Sequence, residues 1–215
     1  MTAIVGIEDG GLVWVGADSS ATNGHTTESL RHSKVWRSGP YIIGVAGSGR
    51  VSDVVQYGTK LTPPPDRGVR RHLVTVVVPA VQKALRKSKA MMTGSGGGTG
   101  EPSGGEAVPA LFLLAIGAHL FSIDEEFCVS QVRDGYAAIG SGGAVACGAL
   151  YASTGMAVKK RLALALNASA HHACGVRGPF VTMRTRAAWR LTPPQPLVTT
   201  PSPPATAARA PLRQR

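Results

Sequence analysis

Asp9-Gly10-Gly11 divides the start of the chain into two apolar, β-branched runs, TAIVGIE (2–8) and LVWVGAD (12–18). Asp-Gly between such runs is among the strongest short-range hairpin signals. The N-terminal end is therefore committed to an antiparallel strand pair, whatever the remaining residues do. A second pair, SKVWR (33–37) and YIIGVAG (41–47), flanks Ser38-Gly39-Pro40 and reads the same way.

Helical spacing follows. Val51, Val54 and Val55 share one face of a helix over 49–60, and Leu73, Val77, Val81 and Leu85 recur every four residues over 68–90. Pro79 interrupts the second helix and predicts a lost hydrogen bond and a kink. Three further strands are predicted, at 108–117, 119–124 and 127–133. YAAIGSGG leads into a small-residue helix (144–153), a second helix spans 157–173, and FVTM (180–183) reads as a last strand. Four strands, two helices, two or three strands, two helices and one strand predict an α+β chain, a four-layer αββα sandwich of two antiparallel sheets faced by helix pairs. A parallel α/β fold would instead place single helices between single strands.

With 215 residues, 43% of them hydrophobic and 16% charged, the chain can bury one sizeable core and is not disordered throughout. The charge balance of 23 Lys+Arg against 12 Asp+Glu gives +11, but it is uneven. From Arg184 onward there are six arginines, no Lys, no acid and seven prolines, with no period of 2 or 3.6. Residues 1–183 are expected to form the folded domain and residues 184–215 a basic, Pro-rich, disordered tail. The glycine-rich stretch 93–105 lacks the Lys-Ser/Thr of a phosphate-binding loop and reads as a flexible surface connection. No apolar run reaches the ~18–20 residues of a membrane helix, and MTAIVGIEDGG has no secretory pattern. Cys128, Cys147 and Cys174 are an odd, widely spaced set that suits free thiols in a reducing cytoplasm.

The residues that carry chemistry converge on the N-terminus. Thr2 follows the initiator Met, whose removal would leave a free α-amine on the residue that bears the hydroxyl. A threonine hydroxyl is a weak nucleophile, and its own α-amine can act as its general base; such amines titrate near ~7.7–8.0, close to the pH at which base catalysis works best. Hairpin arithmetic then places Asp18. A loop at 9–10 puts it opposite position 1, a loop at 9–11 opposite Thr2, and a loop at 10–11 opposite Ala3. Lys34, the only lysine before residue 60, supplies a cation for that carboxylate and for a developing alkoxide. Gly47, in VAGSG, can bring its N–H to a substrate carbonyl because no Cβ intervenes, which makes it a candidate oxyanion donor.

Taken in order, T-A-I-V-G…G-A-D-S-S-A-T-x-G…S-K-V…G-V-A-G-S…A-A-I-G-S-G-G resembles the peptidase core of proteasome β subunits, and especially HslV-type peptidases and proteasome-like proteins of phages and actinobacteria. The resemblance spans roughly residues 2–183. It implies an N-terminal-nucleophile hydrolase fold and threonine-dependent endopeptidase action on unfolded polypeptides. It also implies a homo-oligomeric ring in the cytoplasm, fed by a separate AAA+ ATPase unfoldase, since no nucleotide motif lies in this chain. Position by position, it assigns Thr2 as nucleophile, Asp18 and Lys34 as its acid and lysine, Gly47 as the oxyanion glycine, and Ser141 as the serine near the amine. The pattern departs where the family has an Asp four residues before a glycine and a Ser immediately before it; here His171 and Cys174 precede Gly175.

Other readings have less support. His171, His172 and Cys174 lack the fourth ligand and the CxxC or HxxxH partner of a structural zinc site, so no metal is expected. GSGGAVACG lacks the last glycine of a dinucleotide fingerprint, so no cofactor is expected. No G-x-S-x-G elbow occurs. Two alternatives stay open: an inactive ring subunit, suggested by His171 and Cys174, and a nucleic-acid-binding protein acting through its tail. The tail has no aromatic interleaving beyond Trp189, which argues against the second.

Overall fold

A computed structural model describes residues 1–22, 25–93 and 106–186. Most of the glycine-rich stretch, from Gly94, and the tail from Ala187 onward lie outside the described residues.

The first hairpin forms as predicted. Strands β1 (Ile4–Asp9) and β2 (Leu12–Ala17) pair antiparallel with Asp9 opposite Leu12, so Gly10-Gly11 is the two-residue turn. A short hairpin, β3 (Ser20–Thr22) and β4 (Thr27–Ser29), follows, and then the second predicted pair, β5 (Val35–Ser38) and β6 (Tyr41–Gly47). Helix α1 covers Gly49–Gly58.

The predicted helix over 68–90 is α2 (Val69–His72), a π-helical turn (Leu73–Val77) and α3 (Val78–Lys87). Pro79, expected to disrupt a helix interior, instead stands in the first turn of α3, where its missing N–H has no partner to lose. The widened turn before it lets Val78 N–H reach back five residues to Leu73 O. The strain that the proline predicts is thus absorbed upstream.

Strands β7 (Met92–Thr93) and β8 (Glu106–Ala107) pair with each other. Strands β9 (Ala110–Ile116), β10 (His119–Ile123) and the two-residue β11 (Val129–Ser130) occupy the three predicted positions. Tyr136–Ile139 is a strand, β12, before helices α4 (Gly143–Ala152) and α5 (Val158–His172). The last strand, β13, runs Val181–Arg184. Packing continues past residue 183: Thr185 is buried, accepts from Val13 N–H and donates to Gly117 O.

Two antiparallel sheets result, β12-β1-β2-β13 and β11-β10-β9-β6-β5. Along β9, Phe112, Leu114 and Ile116 join the core under α1 and α3, whereas Leu113 and Ala115 face the other sheet. Along β1, Ile4 faces the five-stranded sheet, and Val5 and Ile7 pack on α4 and α5 with Leu162, Ala165 and Leu166. Each sheet is covered on both faces. Its strands therefore read as continuous apolar runs rather than alternating ones, and the four-layer αββα arrangement follows. No helix of the described residues is long and apolar enough to cross a membrane.

Candidate active site

The site lies where the N-terminal end of β1 meets the exit of β2 and the entry of β5. The β1–β2 register selects one of the three predicted placements: Ile4 opposes Ala17, so Asp18 falls opposite Ala3. Asp18 N–H donates to Ala3 O at 3.1 Å, and Ala3 N–H returns a bond to Asp18 Oδ1 at 3.0 Å. Asp18 is 1% exposed, so its charge needs compensation.

Lys34 provides it from the other sheet. Its backbone, just ahead of β5, is held by Val45 N–H on β6, which donates to Lys34 O at 3.3 Å. Its ammonium crosses to the four-stranded sheet and lies 2.9 and 3.0 Å from the two Asp18 oxygens, 3.1 Å from Thr2 Oγ1 and 2.9 Å from Met1 O. Asp18 and Lys34 thus form a buried ion pair. Burial pulls the Lys34 pKa below the ordinary lysine value of 10.5, and the hydrogen bond and charge of Asp18 push back against that shift.

Thr2 is itself buried. Its N–H donates to Ser141 Oγ at 3.1 Å, and its hydroxyl donates to Met1 O at 2.7 Å. Ser141 is delivered by the turn between β12 and α4. Gly140, at φ +90°, passes so close to Thr2 O that a Cβ there would collide with it, and Gly142 N–H donates to Thr2 O at 3.0 Å. While Met1 is attached, the Thr2 nitrogen is an amide and is not a base.

Gly47 ends β6 at φ +134°, where a Cβ would strike the backbone of Pro109 and Ala110. Only glycine fits there without strain. It borders a cleft of about 380 Å³ shared with Thr2, Lys34, Thr22, His32 and Asp53. All five predicted site residues are thus gathered at this end of the sandwich. Thr2, Asp18, Lys34 and Ser141 form one hydrogen-bonded network, and Gly47 lines the same cleft.

His171 and Cys174 are at the surface: the rings of His171 and His172 meet edge to face at 4.6 Å, and Cys174 is exposed. The loop after α5 reaches the site through Gly175 instead. Ser20 Oγ lies 2.5 Å from Asp18 Oδ2 and also in hydrogen-bond contact with Gly175 O, so its single proton serves one at a time. Ser20 N–H adds a bond to Asp18 Oδ2 at 3.1 Å. Sequence reasoning passed over Ser20, although an Asp followed two residues later by Ser is the spacing of a side chain that bonds the backbone ahead of it.

By sequence, no family model and no curated protein matches the chain. By structure, Thiobacillus denitrificans BPH matches with a TM-score of 0.70 at 19% identity over 86% of this chain and 98% of that one. Its complex with epoxomicin matches with a TM-score of 0.71 at 19% identity, over 86% and 99%. HslV from Trypanosoma brucei matches with a TM-score of 0.57 at 18% identity, over 85% and 98%. These similarities cover almost the whole of each neighbour, and the chain has the fold of the proteasome-like and HslV-type N-terminal-nucleophile hydrolases.

Proposed function

We propose that the chain is a threonine endopeptidase that uses Thr2 as nucleophile once Met1 has been removed. The observation that carries this reading is the ammonium of Lys34, held by buried Asp18 and 3.1 Å from Thr2 Oγ1. Removal of Met1 turns the Thr2 amide into an amine and frees the hydroxyl and the ammonium from Met1 O. Thr2 Oγ1 then attacks the scissile carbonyl as the α-amine takes its proton. Lys34 disfavours protonation of that amine and stabilises negative charge on Oγ1, and Gly47 N–H receives the oxyanion. The protonated amine gives its proton to the departing peptide nitrogen, leaving an ester on Thr2. Water, deprotonated by the same amine, hydrolyses the ester and restores the site.

The resemblance of the motifs to proteasome-like peptidases extends the proposal to unfolded polypeptide substrates, a ring of identical copies and a separate ATP-driven unfoldase. Thiobacillus BPH forms a complex with epoxomicin, and we expect this chain to bind it in the cleft beside Thr2. Thr2→Ala is the test. It should abolish peptide hydrolysis and epoxomicin binding together, and wild-type-like hydrolysis by that variant would rule the reading out.

One observation favours a second reading, an inactive ring subunit. With Met1 in place, its carbonyl occupies both Lys34 and the Thr2 hydroxyl. Retention of Met1 in the intact mass of the purified protein would support that alternative.

A further inference from the structure

We propose that Ser20 and Ser169 are positioning residues of the site: their buried hydroxyls tie α5 and the segment behind it to Asp18 and to the turn that carries Ser141. This rests on the threonine reading and adds the groups that orient its acid and its amine.

His171 and Cys174, where the motif departs, are exposed. The backbone of the segment after α5 is held at the exit of β2, where Ser19 N–H donates to Arg177 O at 3.2 Å. Two buried hydroxyls add links that end on the site itself.

Ser169, on α5, is fully buried. Its Oγ donates to Gly142 O at 2.9 Å and shares its proton with Ala165 O, one turn back on the same helix, at 3.0 Å. Gly142 is where the turn after β12 meets Thr2. Its N–H donates to Thr2 O at 3.0 Å, and the neighbouring Ser141 hydroxyl receives Thr2 N–H at 3.1 Å. A Cβ on Gly142 would lie 2.9 Å from Ala3 Cβ and 3.0 Å from Ser169 Cβ, so β1, the turn and α5 are in direct contact here. The Ser169 hydroxyl therefore anchors the residue whose N–H holds Thr2 and whose neighbour receives the amine.

Ser20 acts on the acid. It is 1% exposed, and its Oγ lies 2.5 Å from Asp18 Oδ2 and in contact with Gly175 O. Gly175 adopts φ +72° with Thr22 and Met1 packed where a Cβ would stand, so the carbonyl is brought in by backbone that favours glycine. Ser20 gives Asp18 Oδ2 two donors, its hydroxyl and its N–H at 3.1 Å. Fixing that oxygen fixes the side from which Asp18 holds the Lys34 ammonium against Thr2 Oγ1. Donors set in place before charge develops need no reorganisation when it does.

For protein shown to lack Met1, Ser20→Ala and Ser169→Ala should each lower kcat by about tenfold, the scale of one hydrogen bond. Ser169 does not line the cleft, so its variant should keep KM within about twofold. Double-mutant cycles separate positioning from stability. Ser169→Ala should cost less than about threefold once Ser141→Ala is present, and Ser20→Ala less than about threefold in Lys34→Met. His171→Ala and Cys174→Ala should keep the wild-type kcat. Full additivity in either cycle, a lower melting temperature with unchanged kcat, or a tenfold loss in His171→Ala or Cys174→Ala overturns the proposal and leaves the threonine mechanism standing. Amide hydrogen exchange needs no turnover. Ser169→Ala should lose protection at Gly142 N–H, and Ser20→Ala at Ala3 N–H, the donor to Asp18 Oδ1. Unchanged protection at both amides also overturns the proposal. If the wild type cleaves no peptide while both amides respond, the serines hold the site as inferred and the threonine reading falls.

Discussion

The two sides of the cleft are built on opposite principles. On the Lys34 side, buried polar atoms are matched: Asp18 receives Lys34 and the N–H groups of Ala3 and Ser20, and Thr2 is held between Ser141 and Lys34. On the α1 side, Gly47 and Asp53 are exposed, and no side chain caps the start of the helix. A matched, buried network costs no reorganisation when charge develops, and that is where transition-state stabilisation is strongest. The open wall has no such network. On the proposed mechanism the matched side carries the nucleophile and its charge, and the open side contributes the oxyanion donor Gly47.

Substitutions can break that division, and the largest effect is expected at Lys34. Lys34→Met keeps the apolar stem and removes the charge. It should lower kcat by about a thousandfold, the upper range for loss of one electrostatic donor. It also leaves buried Asp18 unpaired, at about 3–5 kcal/mol in stability, which denaturant unfolding would measure. A kcat within tenfold of wild type would remove the lysine from the chemistry.

Next comes Gly47→Ala, which tests whether the open side also contributes to rate. The new Cβ meets the backbone at Pro109 and Ala110. Hydrolysis should fall about a hundredfold, as when an oxyanion donor is misplaced, with a lower melting temperature. A variant that keeps its kcat would exclude Gly47 as the oxyanion donor.

Asp18→Asn sharpens the electrostatic part of the comparison through pH. Burial lowers the Lys34 pKa and Asp18 raises it, so removing the carboxylate must lower it further. If the ammonium form is the active one, wild-type kcat/KM declines as pH rises through a value below 10.5, and in Asp18→Asn the decline begins at lower pH. An alkaline limb that does not move would show that Lys34 does not govern it. The smallest effect is expected from Ser141→Ala, about tenfold in kcat, because the hydroxyl orients the amine without touching the carbonyl under attack.

The same contrast explains what could be read from the residues alone. The Lys34 side was legible because local rules place most of it. A tight Gly10-Gly11 turn confines Asp18 to within one residue of Thr2, and a single lysine precedes residue 60. Which of three registers held was not legible, since Asp-Gly and Gly-Gly both suit a two-residue turn. The four layers followed from the order of strand and helix patterns, but individual short strands did not. β3 and β4 are too polar to show a strand pattern, and Tyr136–Ile139 offers only alternating burial over four residues, two of them alanine. Pro79 obeyed its local rule in an unexpected place, since the π-helical turn before it could not be inferred from spacing. Asp53 was invisible because nothing local marks it. Its place beside Leu30, His32 and Thr2 on the cleft depends on how separate elements pack together.

Intact-mass spectrometry after treatment with a threonine-directed electrophile, followed by peptide mapping, tests the role of the N-terminus most directly. The expected product lacks Met1 and carries a single adduct on Thr2, formed far more slowly in Lys34→Met. Protein that retains Met1, or an adduct on any other residue, would contradict a mechanism in which a liberated α-amine activates its own threonine.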